Sequence, residues 1–238
     1  MEAKKIILIL LGVGLIMVSA VPAQAQGSWS RTDLGSFRVR LGLFQPQANS
    51  SYWDEKFSIW TGDPADMQDL IWGVDGVWMI SPNSGIQFGS AWYHGETTQV
   101  YRDWVDENGN EIGHRMQLDT WELTAAWVFR PKISAVIQPY FGFGGGLTGW
   151  RLVERGEFID FGASEDGSIF GGTYGDDGTT FLAFAELGFE VCLGNTWSFF
   201  VEGRWKEAEA SLGGGFSDLN QDLDLSGAEL SAGLAFNY

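Results

Sequence analysis

The sequence predicts an all-β protein, an eight-stranded antiparallel transmembrane up-and-down β-barrel. Three observations carry this: eight stretches alternate apolar with small or polar residues, their connections alternate long and short, and large aromatics gather on the apolar faces in two bands. The pattern is clearest at the C-terminus. Taking every second residue back from Tyr238 gives Phe236, Leu234, Ala232, Leu230 and Ala228, against Asn237, Ala235, Gly233, Ser231, Glu229 and Gly227. One face suits lipid and the other a polar lumen. An edge strand of a soluble sandwich also alternates, so the rest of the chain has to decide.

The N-terminal segment reads as a targeting signal, 1–25, with the mature domain at 26–238. Lys4 and Lys5 precede the apolar core 6–18, and Ala23-Gln24-Ala25 supplies an A-x-A cleavage site. An uncleaved anchor is the alternative, but the apolar run is short for a membrane span. The expectation is an exported chain.

Phe37, Val39, Leu41 and Leu43 alternate with Arg38, Arg40, Gly42 and Phe44 as the first strand, and residues 45–68 form a long polar loop. The second strand shows Trp72, Val74, Gly76, Trp78 and Ile80 on one face, with Gly73, Asp75, Val77 and Met79 on the other. A turn rich in Ser, Pro, Asn and Gly then leads to a third strand with Ile86, Phe88, Ser90 and Trp92 outward. Residues 96–115 read as the second long loop. Its tip, Asp106 to Glu111, contains an Asn-Gly pair suited to positive φ, and its acids suggest Ca²⁺ only weakly because the EF-hand spacing is incomplete.

The fourth strand presents Trp121, Leu123, Ala125, Trp127 and Phe129, and turns at Arg130-Pro131-Lys132. The fifth presents Ile137, Pro139, Phe141, Phe143 and Leu147. Its Gly144-Gly145-Gly146 lacks the order of a phosphate loop, so it reads as space for bulky neighbours or a bend. Residues 152–178 form the longest loop. The sixth strand alternates from Phe181 to Leu193, the seventh carries Trp197, Phe199, Val201, Gly203 and Trp205 outward, and the Gly-rich segment 210–223 leads to the eighth.

Composition narrows the function classes. The net charge is −17, or −18 once Glu2, Lys4 and Lys5 leave with the signal, which disfavours nucleic acid. One cysteine, Cys192, excludes an internal disulfide and a Cys-rich metal site, and reads as a small filler. No cofactor is expected. The aromatic bands are Trp78, Trp127, Phe129, Trp197, Phe236 and Tyr238 below, and Trp72, Trp92, Trp121 and Trp205 above.

These residues carry a resemblance. The A-x-A signal, the Phe37-Arg38-Val39-Arg40-Leu41-Gly42 strand, Pro139-Tyr140-Phe141-Gly142-Phe143-Gly144 and the terminal Leu234-Ala235-Phe236-Asn237-Tyr238 resemble the small outer-membrane β-barrel superfamily, with its outer membrane protein A, OmpX and OmpW-like barrels. The resemblance spans nearly all the mature chain, is specific for architecture and is weak for activity. It implies residence in the outer membrane with both termini on the periplasmic side. It also implies contact with lipopolysaccharide and phospholipid, a monomer, and insertion by assembly machinery that reads Phe236 and Tyr238 as a C-terminal signal. Tyr238 stands where Phe is commoner.

Parity puts ten charges inside: Arg38, Arg40, Asp75, Glu122, Glu186, Glu190, Glu202, Arg204, Lys206 and Glu229. The expectation is a paired network filling a narrow lumen, with Arg204 or Lys206 facing Glu229 or Glu202. The function expected is structural or surface interaction through four long acidic external loops. A narrow pore is the alternative. A lipid A-modifying enzyme is the less favoured one, because His94 and His114, which parity leaves near one another at the external end, lack a marked nucleophile, and no enzyme is expected.

Overall fold

The computed structural model describes residues 34–131, 133–134, 136–160, 168–217 and 221–238. The signal segment therefore lies outside the described residues. Nine strands form: β1 Gly35–Pro46, β2 Asp69–Met79, β3 Ser84–Val105, β4 Glu111–Phe129, β5 Ile137–Asp160, β6 Ser168–Cys192, β7 Trp197–Ser211, the short β8 Asp222–Asp224 and β9 Gly227–Asn237. All pair antiparallel. Each strand from β1 to β7 pairs with the next, β7 also pairs β9, and β9 returns to β1, so eight strands close a ring and β8 lies against the end of β7. Closure removes every edge within the ring, which a strand crossing hydrocarbon requires because no water is there to satisfy free backbone groups.

The wall follows the alternation of the sequence. In β1 Phe37, Val39 and Leu41 are exposed while Arg38 and Arg40 are buried; in β9 Leu230, Leu234 and Phe236 face out while Glu229 and Ser231 face in. An apolar surface of this extent, with Phe143, Phe181 and Leu187 each more than half exposed, is tolerable only against another apolar phase. The eleven residues of β2 rise roughly 28 Å at the usual strand spacing and tilt, enough for the hydrocarbon core.

At one end the strands are joined by the short links 80–83, 130–136 and 193–196, and both the first and last strands have their free ends there. At the other end the structure corrects the reading of the connections. Residues 96–115 are mostly strand, because β3 and β4 continue to a tip at 106–110, where Gly109 has φ +80°. Residues 152–178 are likewise mostly paired strand in β5 and β6. Extra-membrane strand pairs satisfy the backbone as well as solvent does, and glycines and polar residues on both faces hide the period from sequence.

The segment read as the first long loop holds an α-helix, α1, Ser51–Ile59, followed by a 3₁₀ turn at Pro64–Met67. Asp63 caps that turn by accepting from the Ala65 backbone N–H, while the Asp66 side chain accepts from the Asp63 N–H and Pro64 stands at the first helical position. The N-cap residue of α1, Ser50, instead turns its hydroxyl to accept from the Asp224 backbone N–H at 3.3 Å, fastening the helix to β8.

Candidate functional site: the lumen and the cap over it

The ten charged residues that parity assigns to the interior are all buried inside the wall. They form one column. At the short-turn end Arg38 donates to Glu190 at 3.2 Å and lies 3.9 Å from Glu202, with its guanidinium over the Tyr140 and Phe200 rings at 4.6 and 5.1 Å. Mid-lumen, Arg204 reaches Glu186 at 2.7 Å and Glu202 at 3.0 Å, and Arg40 donates to Asp75 at 3.1 Å and to Glu229. Above these, Lys206 bridges Glu122 at 2.8 Å and Glu229 at 2.9 Å.

Three partners of the network escape the sequence reading. Arg130, assigned to a turn, is buried and lies 3.3 Å from Glu190; the parity of β4 carried one residue further would have found it. Tyr140 donates to Glu202 at 2.9 Å, and the Gln87 amide donates to Glu186. Alternation puts Gln87 and Tyr140 on the inward faces of β3 and β5, but it does not report that they hydrogen-bond the charges. Opposite charges so desolvated hold only when paired, and every charge of this column has an opposite partner, from β1, β2, β4, β6, β7 and β9, although the Arg204 Nε and the Glu122 Oε2 carry no hydrogen bond.

The column ends at Phe44, whose ring lies 4.8 Å from the Lys206 ammonium. Beyond it the lumen is apolar. Phe44 packs edge-on to Tyr93 at 5.0 Å, and Ile71, Met116, Leu118, Trp150, Leu152 and Leu182 from the wall meet Tyr52 and Trp53 from α1, Met67 from the 3₁₀ turn and Phe216, Leu223 and Leu225 from the segment before β9. Tyr52 and Trp53 are 0% exposed. Trp53 donates its indole N–H to the Asp224 carbonyl at 2.9 Å, and the Tyr93 hydroxyl donates to the Met67 carbonyl. α1 is thus a stopper seated in the mouth.

Neither protein-family models nor curated proteins match this sequence. Among solved structures, the outer membrane protein OprG from Pseudomonas aeruginosa superposes with a TM-score of 0.51 at 15% identity, covering 87% of this chain and 97% of OprG. The fold is that of a small outer-membrane barrel. Neisserial surface protein A (TM-score 0.47, 13% identity, 86% and 99% covered) and Ail of Yersinia pestis (0.43, 11%, 86% and 99%) are also similar.

Above its stopper this outer-membrane barrel carries a polar layer built on Glu154. That carboxylate accepts from the Tyr52 hydroxyl and from Lys56 at 2.9 Å, and the His114 Nε2 lies 3.4 Å away. Burial raises the Glu154 carboxyl, but His114, Lys56 and Tyr52 together bring it below its ordinary value. Burial and the Glu154 charge push the Tyr52 hydroxyl well above its ordinary value. A second aromatic layer roofs this one: Trp60 stacks on His114 at 4.0 Å and lies tilted against Tyr101 at 3.9 Å, and Phe158 meets His114 edge-on at 5.0 Å.

The two histidines are not adjacent, contrary to the expectation. Register pairs His94 with Asp119 and Gln99 with His114, so the histidines sit five rungs apart and on opposite faces of the wall. His94 lies outside with its Nδ1 2.5 Å from Asp119; His114 is enclosed. The tip that suggested Ca²⁺ uses Asp106 for itself: its carboxylate accepts from the Asn108 and Asn110 backbone and from the Asn110 side chain. The Asn110 bonds lead in holding that carboxyl below its ordinary value. Among the described residues no group of His, Cys, Asp and Glu could hold a metal ion. Phe236 and Tyr238 face outward at the short-turn end, where Trp197 meets Phe236 at 5.3 Å.

Proposed function

We propose that the protein is an integral outer-membrane barrel with a closed lumen and a structural or surface-interaction role, exposed through the strand extensions and the cap. The carrying observation is the apolar stopper: the ion-paired column is succeeded, at Phe44, by a layer of buried apolar side chains drawn from the wall, from α1 and from the segment before β9. A pore would need both layers to open together. The extensions suit contact with a partner, since Val105, Ile169 and Phe170 stand exposed near their ends.

In this reading the short-turn end and both free strand ends face the periplasm, the chain is a monomer, Phe236 and Tyr238 serve the assembly machinery, and lipopolysaccharide and phospholipid surround the wall. The reading includes no enzymatic role, and His94 and His114, the pair weighed for catalysis, stand five rungs apart on opposite faces. The test is planar-bilayer conductance of the refolded mature chain. Silence at neutral pH is expected, and discrete open steps in the wild type would overturn the closed-lumen reading.

A further inference from the structure

Cations are scarce in this chain, and where they fall is informative. Among the described residues, Arg38, Arg40, Arg130, Arg204 and Lys206 face the lumen. Lys56 and Arg102 hold the cap, the latter by donating to the Phe57 and Trp60 carbonyls. The remaining Lys and Arg residues among those described, Arg115, Arg151 and Arg155, lie on one patch of the outer wall, on β4 and β5. Arg115 stands directly opposite Arg155 in the ladder, and Arg151 is four residues, two pleat periods, below, opposite Asp119.

Two like charges facing each other across an antiparallel pair destabilise it. Arg115 has partial relief from Glu96 at 3.0 Å. Among the described residues neither Arg151 nor Arg155 has a carboxylate within ion-pair distance, and Asp119 is already held by His94 and by Gln117 at 2.7 Å. Asp177 faces Arg151 from β6. A bridging anion would turn the arginine pair from a liability into a clamp.

Height on the wall selects the anion. Trp72, Trp92, Trp121 and Gly149 share one outward rung; the first two indoles stack at 4.3 Å, and the third lies over Gly149, where a Cβ would stand 2.0 Å from its Nε1. Tryptophans in such a belt mark the boundary of the hydrocarbon. At the usual rise and tilt Arg151 then stands roughly 5 Å and Arg155 roughly 15 Å beyond it, in the headgroup layer. A groove of about 970 Å³ lies between the indoles and His94 and Arg151, with Asp69, Asp119 and Asp177 also on its wall.

We infer that Arg115, Arg151 and Arg155, above the groove of Trp72, Trp92 and Trp121, bind the phosphate groups of a phosphorylated lipid of the outer leaflet. The arginines take the phosphate and the indole groove takes the start of the acyl chains. This rests on the membrane reading above and deepens it from general lipid contact to one site.

The experiment uses the full mature chain refolded in neutral detergent and titrated with diphosphorylated lipid A, with the same glycolipid stripped of phosphate, and with inorganic phosphate as competitor. The heat-modifiable gel shift of each sample reports barrel formation separately from lipid binding. Lipid A is expected to bind at least about tenfold more tightly than the stripped lipid, and Arg151→Gln/Arg155→Gln is expected to lose that margin with its gel shift intact. Without lipid, Arg155→Gln should melt no lower than wild type, since the like-charge pair is relieved; with lipid A it should lose the lipid-dependent rise. Equal binding by the variant, or by the stripped lipid, overturns the site. Displacement by a few millimolar inorganic phosphate assigns it to a soluble anion and overturns the lipid assignment.

Discussion

Arg204 of β7 stands opposite Glu229 of β9 in the ladder, yet Arg204 is ion-paired to Glu186 of β6, while Glu229 is ion-paired to Lys206 of β7 and Arg40 of β1. The pairing locks a seam of the ring from inside. Glu229→Gln leaves the buried Lys206 and Arg40 without their shared counter-charge, and a cost of about 3–5 kcal/mol is expected. Urea unfolding in vesicles reads this as a fall in midpoint with the slope unchanged. An unchanged midpoint would mean that the column is solvated.

Conductance should not follow charge removal alone. Arg204→Gln and Glu229→Gln leave the stopper in place, so both are expected to remain silent in planar bilayers. Deleting 51–59 in the Glu229→Gln background should produce steps. Current through either single variant with α1 intact would contradict the two-layer seal.

Trp53→Ala removes a fully buried indole and its bond to the Asp224 carbonyl. About 3–5 kcal/mol should be lost from the cap and little from the membrane ring. Limited proteolysis checks this: cleavage within 47–68 should quicken by at least tenfold while the heat-modifiable gel shift is retained. Loss of the shift would show that ring and cap are not separable.

The cap should have an acid limit and an alkaline limit. Glu154 is held below its ordinary value of 4.5, so its contribution is complete above that value and is lost as pH falls through the lowered one. Tyr52 is held above its ordinary value of 10.0, so its contribution is complete below 10.0 and is lost as pH rises through the raised one. Fluorescence of the capped tryptophans should be flat between these limits and red-shift outside them. A transition at pH 6 to 7 would point to another group, and Glu154→Gln should abolish the acid limb.

Orientation is open to a thiol test. In a Cys192→Ser background, Asn108→Cys at the β3–β4 tip should react with an impermeant maleimide on whole cells, and Asn83→Cys in a short turn only after the cells are opened. The reverse pattern would invert the assignment of the two ends.

The strands and their faces were legible because period-two alternation is a local signal, and each inward charge could be named from its own strand. Arg130 was lost only at the point where a strand was taken to stop. The cap was not legible for a different reason. A nine-residue helix is too short to be stable alone, and Tyr52, Trp53 and Phe57 do not describe a broad apolar stripe; it is helical because the mouth of the barrel receives it. The arginine patch depends on register, which brings Arg115 to Arg155 across forty positions, and no spacing rule along one chain reports that. The paired His94 and Asp119 fall under the same limit, as does the separation of His94 from His114.

The stopper draws side chains from every strand from β1 to β7 as well as from α1 and the segment before β9. Such a cluster has no partial form of its own, because its members meet only after the last strand has found the first. Its burial therefore rewards completion of the ring and not the strand pairs that precede it. Seating of α1 is therefore expected to slow reopening of the ring more than it speeds its closure.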